Sequence, residues 1–578
     1  MLINEVTAIT GLSKKAIRFY EMKGLLKIER ISNGYRKYSN ADVEILNKIK
    51  LLRMAGVSVS DIKLLFDDVI KIDELLEKRK NEIEKQFGYH SKQFLTCRAM
   101  LEQYENQQFN YDTELDEDNM SINSDTGDLA VGIDIGTTTI SAVVINLSTK
   151  KQVELYTVQN NYNLVSDNPA FCEQDTEGIY DKVFNLTQHI MKNHDCIRSI
   201  GVTGQMHGIV YLDREGNAVS HLITWRDKRA DLLIDSKNTY CERIFNETDE
   251  KISAGYGFAT HFYNKHNNLV PAKAYTFCSI MDYVVMKLTK SSAPVIHTSV
   301  AASFGFFDVE KSEFKAHKLS KLMINDLQLP EVTDEYFVCG EFNGAKVSVA
   351  IGDNQASFLG SVKGLENSIL INIGTGSQIS AVVDSYITDD SLEIRPLIKD
   401  KYIMCGSALC GGASYALLEK FFREFVSKSY SEVAPQYEVM NKLAQEAYNQ
   451  NKIPLTVNTF FSGKRHFPDA TGSILGIRTE NFTPGQLILG FIIGMCRELY
   501  ELFENKVANK KTLVASGNAV QKITIIKDII SNMFNLPVNI TLSKEEASVG
   551  CALFSSVSAG MLKNTDEFSD FIEYKKGV

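Results

Sequence analysis

The sequence predicts a multidomain protein: a small all-α-type winged helix-turn-helix unit, a long helix, and then a two-lobed α/β body. Three observations predict this. The chain has 578 residues, too many for one hydrophobic core. Its charge is uneven, since residues 1–60 hold eleven Lys/Arg against five Asp/Glu while the whole chain carries a formal charge of -10. A strand, a Gly/Thr/Ser turn and a second strand are also written twice, as LAVGIDIGTTTISAVV (129–144) and ILINIGTGSQISAVV (369–383). Such repetition reads as an internal duplication, one copy per lobe.

Composition narrows the class. Hydrophobic residues at 44% and charged residues at 23% are those of an ordinary soluble globular protein. Ten cysteines show neither CxxC nor CxxxxH spacing, so reduced thiols in a cytoplasmic protein are expected, without a disulfide framework or zinc site. There is no signal-peptide pattern and no apolar run of about 18 residues, so neither export nor a membrane span is expected.

Residues 3–10 and 14–23 read as two short helices broken by Gly11-Leu12-Ser13, with Ser13 placed to cap the second. Lys14, Lys15, Arg18 and Tyr20 on the second helix are groups suited to phosphate and base-edge contacts. Leu25–Tyr38 reads as a hairpin turned at Asn33-Gly34 and decorated like a wing by Arg30, Arg36 and Lys37. Helices near 41–55 and 59–68 follow, the latter opened by Ser58-x-x-Asp61. The plain alternative is a small basic helical adaptor.

The stretches TGLSKKAIRFYEMKGLL (10–26), NGYRKYS (33–39) and LLRMAGVSVSDIKLLF (51–66) resemble the DNA-binding domain of MerR-type transcription regulators. That resemblance implies duplex-DNA binding by residues 1–70. Ile72–Tyr104 reads as one helix, with Leu76, Ile83, Phe87, His90, Phe94, Cys97, Leu101 and Tyr104 as a seam of about three heptads. In the resembled family such a helix, here 71–110, pairs antiparallel to make a homodimer; the alternative is a helix packed on its own catalytic body. Cys97 alone does not support metal sensing. Residues 112–128 hold seven acidic residues and no basic one, which marks 111–128 as a solvated linker.

From Leu129 the motifs run GIDIGTTT (132–139), EQD (173–175), GVTGQMHGIVYLD (201–213), TWRDKRA (224–230), AIGDNQASFLG (350–360), INIGTGS (371–377), SGN (516–518) and EEASVGCAL (545–553). Their order resembles the FGGY carbohydrate kinases, ATP-dependent sugar kinases of the actin-like (ribonuclease H-like) fold. The resemblance implies lobes at 129–360 and 361–560, with 561–578 as a tail expected to fray. Phosphoryl transfer to a sugar hydroxyl needs a phosphate clamp, Mg²⁺ and a base. Asp353, expected at the end of a strand Val347–Ile351, is the candidate base; the bland reading is a turn cap. Asp134, mid-strand among apolar residues, is the candidate Mg²⁺ site, through water. Thr137 and Thr138, with Gly374 and Thr375, are expected on the phosphates, and Gly517 and Asn518 on the adenosine. Ala515-Ser516-Gly517 departs from the family's usual glycine pair.

Gln205, Met206 and His207 are the candidate sugar contacts, and Trp225, the only tryptophan, offers a face to a sugar's C–H side or else packs in the core. GQMHG is similar to both xylulose and sedoheptulose kinases. SHLITWRDKR (220–229), GYGFATHFY (255–263) and GKRHFPD (463–469) lean to sedoheptulose, with Arg226 a departure. The expectation is an active ketose kinase fused to its regulator, the alternatives being xylulokinase-type activity or a catalytically silent sugar sensor.

Overall fold

The computed structural model describes residues 1–87 and 127–575, less positions 2, 11, 13, 27, 31–35, 56, 68–69, 388, 390, 429–433, 451–453, 465–466, 468, 505, 507–508 and 544. Ser13, the Asn33-Gly34 turn, the seam beyond Phe87 and most of the acidic linker lie outside the described residues. The rest divides into two units: 1–129 with 136–161 and 193–196, and 130–135 with 162–192 and 197–578.

The first unit opens with α1 (Ile3–Thr10), α2 (Lys14–Met22), α3 (Asn40–Met54), α4 (Val59–Phe66) and α5 (Ile72–Phe87). Ser39 and Asp42 form a reciprocal capping box at the start of α3, and the Ser58 side chain accepts from Asp61 N at 3.1 Å to start α4. Between α2 and α3, β1 (Glu29–Arg30) pairs antiparallel with β2 (Arg36–Lys37). The buried cluster here draws only on residues 6–76, among them Val6, Ile17, Leu46, Ile49, Leu52 and Ile62. It includes Leu75 and Leu76, which corrects the expected seam: Leu76 faces this core, because Ile72, Leu75 and Leu76 share one face of α5. Within the same unit α5 runs beside β5 (Lys151–Gln159), an edge strand that a helix protects from stray pairing.

Two six-stranded sheets follow. With β3 (Leu129–Ile135), β4 (Thr139–Asn146), β6 (Ile197–Gly204), β7 (Val338–Phe342) and β8 (Ala345–Ser348), the first sheet has the order β7-β8-β6-β3-β4-β5. The second is built from β9 (Ser368–Ile373), β10 (Ser377–Val383), β11 (Glu393–Ile398), β12 (Lys401–Ala408), β13 (Thr512–Ser516) and β14 (Val538–Ile540), in the order β11-β12-β10-β9-β13-β14. The second copy of the repeat is the antiparallel hairpin β9–β10, in register from Ile369↔Ala381 to Ile373↔Ser377. β9 also runs parallel to β13, so the strand before Gly517 lies beside the strand before Gly374.

The helix Glu546–Ser558 crosses back onto β6 and packs along the helix Asp353–Ser361. Glycines make this possible. A Cβ on Gly132 would lie 1.8 Å from Ser548 O, on Gly201 2.0 Å from Cys551 O, and on Gly550 1.8 Å from Ala356 O. Gly550→Ala should therefore force the two helices apart and cost about 1–3 kcal/mol. The check is urea unfolding at unchanged m, and an unmoved midpoint would contradict this packing. Residues 561–575 do not fray as expected. Thr565–Asp570 is a 3₁₀ turn, Phe568 and Ile572 are buried, and Tyr574 Oη donates to Ser361 O at 3.1 Å. The buried apolar side chains Leu562, Phe568 and Ile572 account for its docking. Among the described residues no helix is long and apolar enough to cross a membrane.

Candidate active site

Asp134 lies on β3 between the buried Ile133 and Ile135. Burial, then the negative charges of Asp353 and Glu545, push its carboxyl up to about 8. The charges of Asp353, at the start of the helix Asp353–Ser361, and of Glu545, at the start of the helix Glu546–Ser558, are thus felt at Asp134. Glu545 was not singled out from the sequence, although EEASVG contains it. Among the described residues no three His, Cys, Asp or Glu side chains are grouped to hold a metal ion, so a cation here would rest on the Asp134 charge rather than on a ligand cage.

Asp353 is not at a strand end. The strand stops at Ser348, and Asp353 is the first residue of a helix whose N-cap is Gly352. Its Oδ1 accepts from Asn354 N at 2.7 Å. Burial raises its pKa, while the Arg395 charge and the Asn354 hydrogen bond lower it. Asn354 Nδ2 donates to Gln378 Oε1 on β10 at 2.5 Å and its Oδ1 takes the Cys405 thiol at 3.0 Å, tying the base's neighbour to the second sheet.

The loop after β6 carries the three candidate sugar contacts. Gln205 is buried and donates its Nε2 to Gln174 Oε1 at 2.8 Å, and a Cβ on Gly352 would meet Met206 Sδ at 2.7 Å. Both therefore brace the site from behind. His207 is partly exposed, in a left-handed conformation (φ 71°), and its Nδ1 lies 2.8 Å from Ser303 O. Its ring stacks on Tyr256 at 4.3 Å between centroids. Trp225 is 48% exposed, so it does not pack in the core, and Arg226 lies over its ring. The EQD and TWRDKRA motifs meet in one buried network. Arg229 donates to Asp227 Oδ1 at 2.8 Å, to Glu173 Oε1 at 2.6 Å and to Asn264 Oδ1 at 2.7 Å.

Two turns face the expected phosphate chemistry, each within its own unit. In the first, Asn160 donates to Gly136 O at 2.8 Å and its backbone N to Thr138 O at 2.8 Å, which fixes the turn bearing Thr137 and Thr138. In the second, the amides of Gly412 and Ala413 donate to the carbonyls of Gly374 and Thr375 at 2.8 and 3.0 Å. The 16-residue helix Gly412–Ser427 therefore starts at this turn and spends its first amides on holding the turn in shape. The Gly411-Gly412 pair that permits this was the signal missed in the sequence. Gly517 (φ 92°) completes the group, since a Cβ there would lie 2.6 Å from Ile373 O, and Asn518 opens the following short helix.

On α2, Lys14 and Arg18 are exposed, whereas the side chain of Lys15 lies outside those described. Tyr20 is a correction: it is only 8% exposed and joins the domain core, on the same helix face as the buried Ile17 three residues earlier. Arg36 is held by Glu21 at 2.6 Å.

Residues 129–360 match the FGGY family of carbohydrate kinases, N-terminal domain, and residues 1–69 match the MerR HTH family regulatory protein profile. The chain is 24% identical to a sedoheptulokinase from Mus musculus over 71% of its own length and 94% of that protein. It is likewise 24% identical to a xylulose kinase from Staphylococcus xylosus, over 78% and 95%. Among solved structures, gluconate kinase from Lactobacillus acidophilus superposes with a TM-score of 0.66 at 20% identity, covering 78% of this chain and 93% of that one. A MerR-type helix-turn-helix domain and an FGGY-family carbohydrate kinase are thus joined in this one chain.

Proposed function

We propose that residues 129–560 transfer the γ-phosphoryl group of ATP to a ketose, with sedoheptulose phosphorylated at O7. Residues 1–70 bind duplex DNA. What supports the kinase reading is that one helix, Thr298–Ser303, frames both Asp353 and His207, through Gly352 N donating to Ser299 Oγ at 3.1 Å and His207 Nδ1 lying 2.8 Å from Ser303 O. Asp353 takes the proton of the attacking hydroxyl, and its place at a helix start fixes the carboxylate without a long rotamer search. His207, stacked on Tyr256, and the exposed Trp225 orient the acceptor, while Gln205 and Met206 hold the loop. Thr137 and Thr138 on one turn, and Gly374 and Thr375 on the other, receive the phosphates, with Gly517 and Asn518 beside the adenosine. Asp134 would hold Mg²⁺, which when bound would supply neutralising charge at the phosphates.

Sedoheptulose is favoured by the short stretches named above and by the relatives called sedoheptulokinase, and xylulose is the competing acceptor. A coupled turnover assay on a ketose panel tests this: kcat/KM should be highest for sedoheptulose. A higher value for xylulose would overturn the substrate, and no turnover on any acceptor would leave a sugar sensor.

The exposed Lys14 and Arg18 support DNA binding. Residues 1–110, whose core is closed within residues 6–76, should bind duplex DNA as a dimer paired through 72–104, with the seam beginning after Leu76. Affinity should fall steeply with salt as released counterions are lost from the balance. Reversing charge at Arg18 should weaken it; binding that ignores salt would point to a protein adaptor. Both activities place the chain in the cytoplasm.

A further inference from the structure

The second lobe brings a charged side chain to the acceptor end of the site that no motif marks. β11 is the outer strand of the second sheet, and it lies against the helix Thr298–Ser303. That helix is itself part of the site's frame, because Ser303 O meets the His207 ring and Ser299 Oγ accepts from Gly352 N at 3.1 Å. On the other side, Gln355 Nε2 donates to Pro396 O at 2.8 Å, which latches β11 to the helix that Asp353 begins. Arg395 stands between these two attachments with its side chain 13% exposed. Its Nε donates to Glu393 Oε2 at 3.0 Å, and Nη2 donates to the same oxygen. Nη1 has no hydrogen-bond partner among the described residues.

Two of the groups on which the Arg395 charge acts are Asp353 and Tyr256. Tyr256 is the ring stacked on His207. The contact of β11 with the helix Thr298–Ser303 and its latch to Gln355 place Arg395 next to the helix that Asp353 begins and to the frame of His207. Its planar fork is aimed by one carboxylate on one edge, which leaves the other edge fixed in direction. Glu393 also balances the charge, so the arginine is suited to neutral hydroxyls and gives little to an acceptor that brings its own carboxylate.

We propose that Arg395, oriented by Glu393, is a specificity residue that donates to hydroxyls of an uncharged acceptor sugar beside the one Asp353 deprotonates. This rests on the kinase reading and goes beyond it by assigning the residue that selects a neutral polyhydroxy chain over an aldonate.

The test uses the full chain as wild type, Arg395→Met, Arg395→Lys and Glu393→Gln. It measures KM and kcat with sedoheptulose and with gluconate, and KM for ATP. A charge-assisted hydrogen bond lost to Met should raise KM for sedoheptulose about tenfold or more. KM for ATP should stay at its wild-type value, and Arg395→Lys should recover part of the loss. Glu393→Gln, by releasing the charge, should raise kcat/KM for gluconate relative to sedoheptulose. A sedoheptulose KM within twofold of wild type in Arg395→Met overturns the proposal, as does an equal rise in KM for ATP. If Arg395→Met does not fold, Arg395→Lys decides: it keeps the charge and loses the fork, so an unchanged KM overturns the assignment. If wild type turns over no acceptor, the kinase reading fails separately. Calorimetric titration with sedoheptulose then judges Arg395: binding lost in the variant supports the proposal, while equal binding, or none by either protein, overturns it.

Discussion

Asp353→Asn is expected to lower kcat about 10²–10⁴-fold, the range that a positioned general base contributes, while sugar and ATP binding persist. The substitution keeps size and the acceptor for Asn354 N, and removes only the capacity to hold a proton. It should also change the shape of the pH profile. Burial raises the Asp353 pKa and Arg395 opposes that rise. The base works ionised, so wild-type kcat should climb with pH along a limb displaced above the usual carboxylate range. The residual activity of the Asn variant should lack that limb. Wild-type-like turnover in Asp353→Asn would remove this residue from the mechanism.

Arg229→Leu should destabilise the kinase body by about 3–5 kcal/mol, because it strands Asp227 in the interior without a counter-charge. The loss reaches the site through a short path. Glu173 loses its partner on one side of Gln174, and Gln174 is what the Gln205 amide grips. Pairing Arg229→Leu with Asp227→Leu should recover a good part of the stability, since the double change leaves no buried charge at that position. Thermal and urea unfolding of the single and double variants gives the coupling directly. A single variant with wild-type stability would mean that the network is solvated.

The sequence carried the parts of the fold that are local. The two strand–turn–strand copies could be read because glycine and hydroxyl residues interrupt otherwise apolar runs, and β9–β10 is such a hairpin. The second basic helix and the cap at Ser58 could be read for the same reason, whereas the capping box at Ser39 was not. What escaped was non-local. Nothing near residue 393 announces that Arg395 will stand beside Asp353, because the two meet only when β11 is latched by Gln355. The helix start at Gly412 was hidden because two glycines resemble an ordinary loop until the turn at Gly374 is set beside them. The sequence points to a strand end at Asp353 since Val347–Ile351 is apolar but for Ser348, a pattern that does not show where pairing stops. Tyr20 was taken by residue type alone; its spacing from Ile17 pointed to the interior.

The return of the last helix onto the first sheet has a consequence for biosynthesis. Gly132 and Gly201 are covered by Ser548 and Cys551, which leave the ribosome more than three hundred residues after either strand. At roughly 5–20 residues per second, β3 waits about 20–90 s with that face bare. Among the described residues the buried core of residues 6–76 draws on nothing downstream, so it can close during that interval. A nascent chain therefore carries a finished DNA-binding module well before its kinase can be assembled. Stalled translation would release the former without the latter, and the bare sheet is the surface that a chaperone must shield meanwhile.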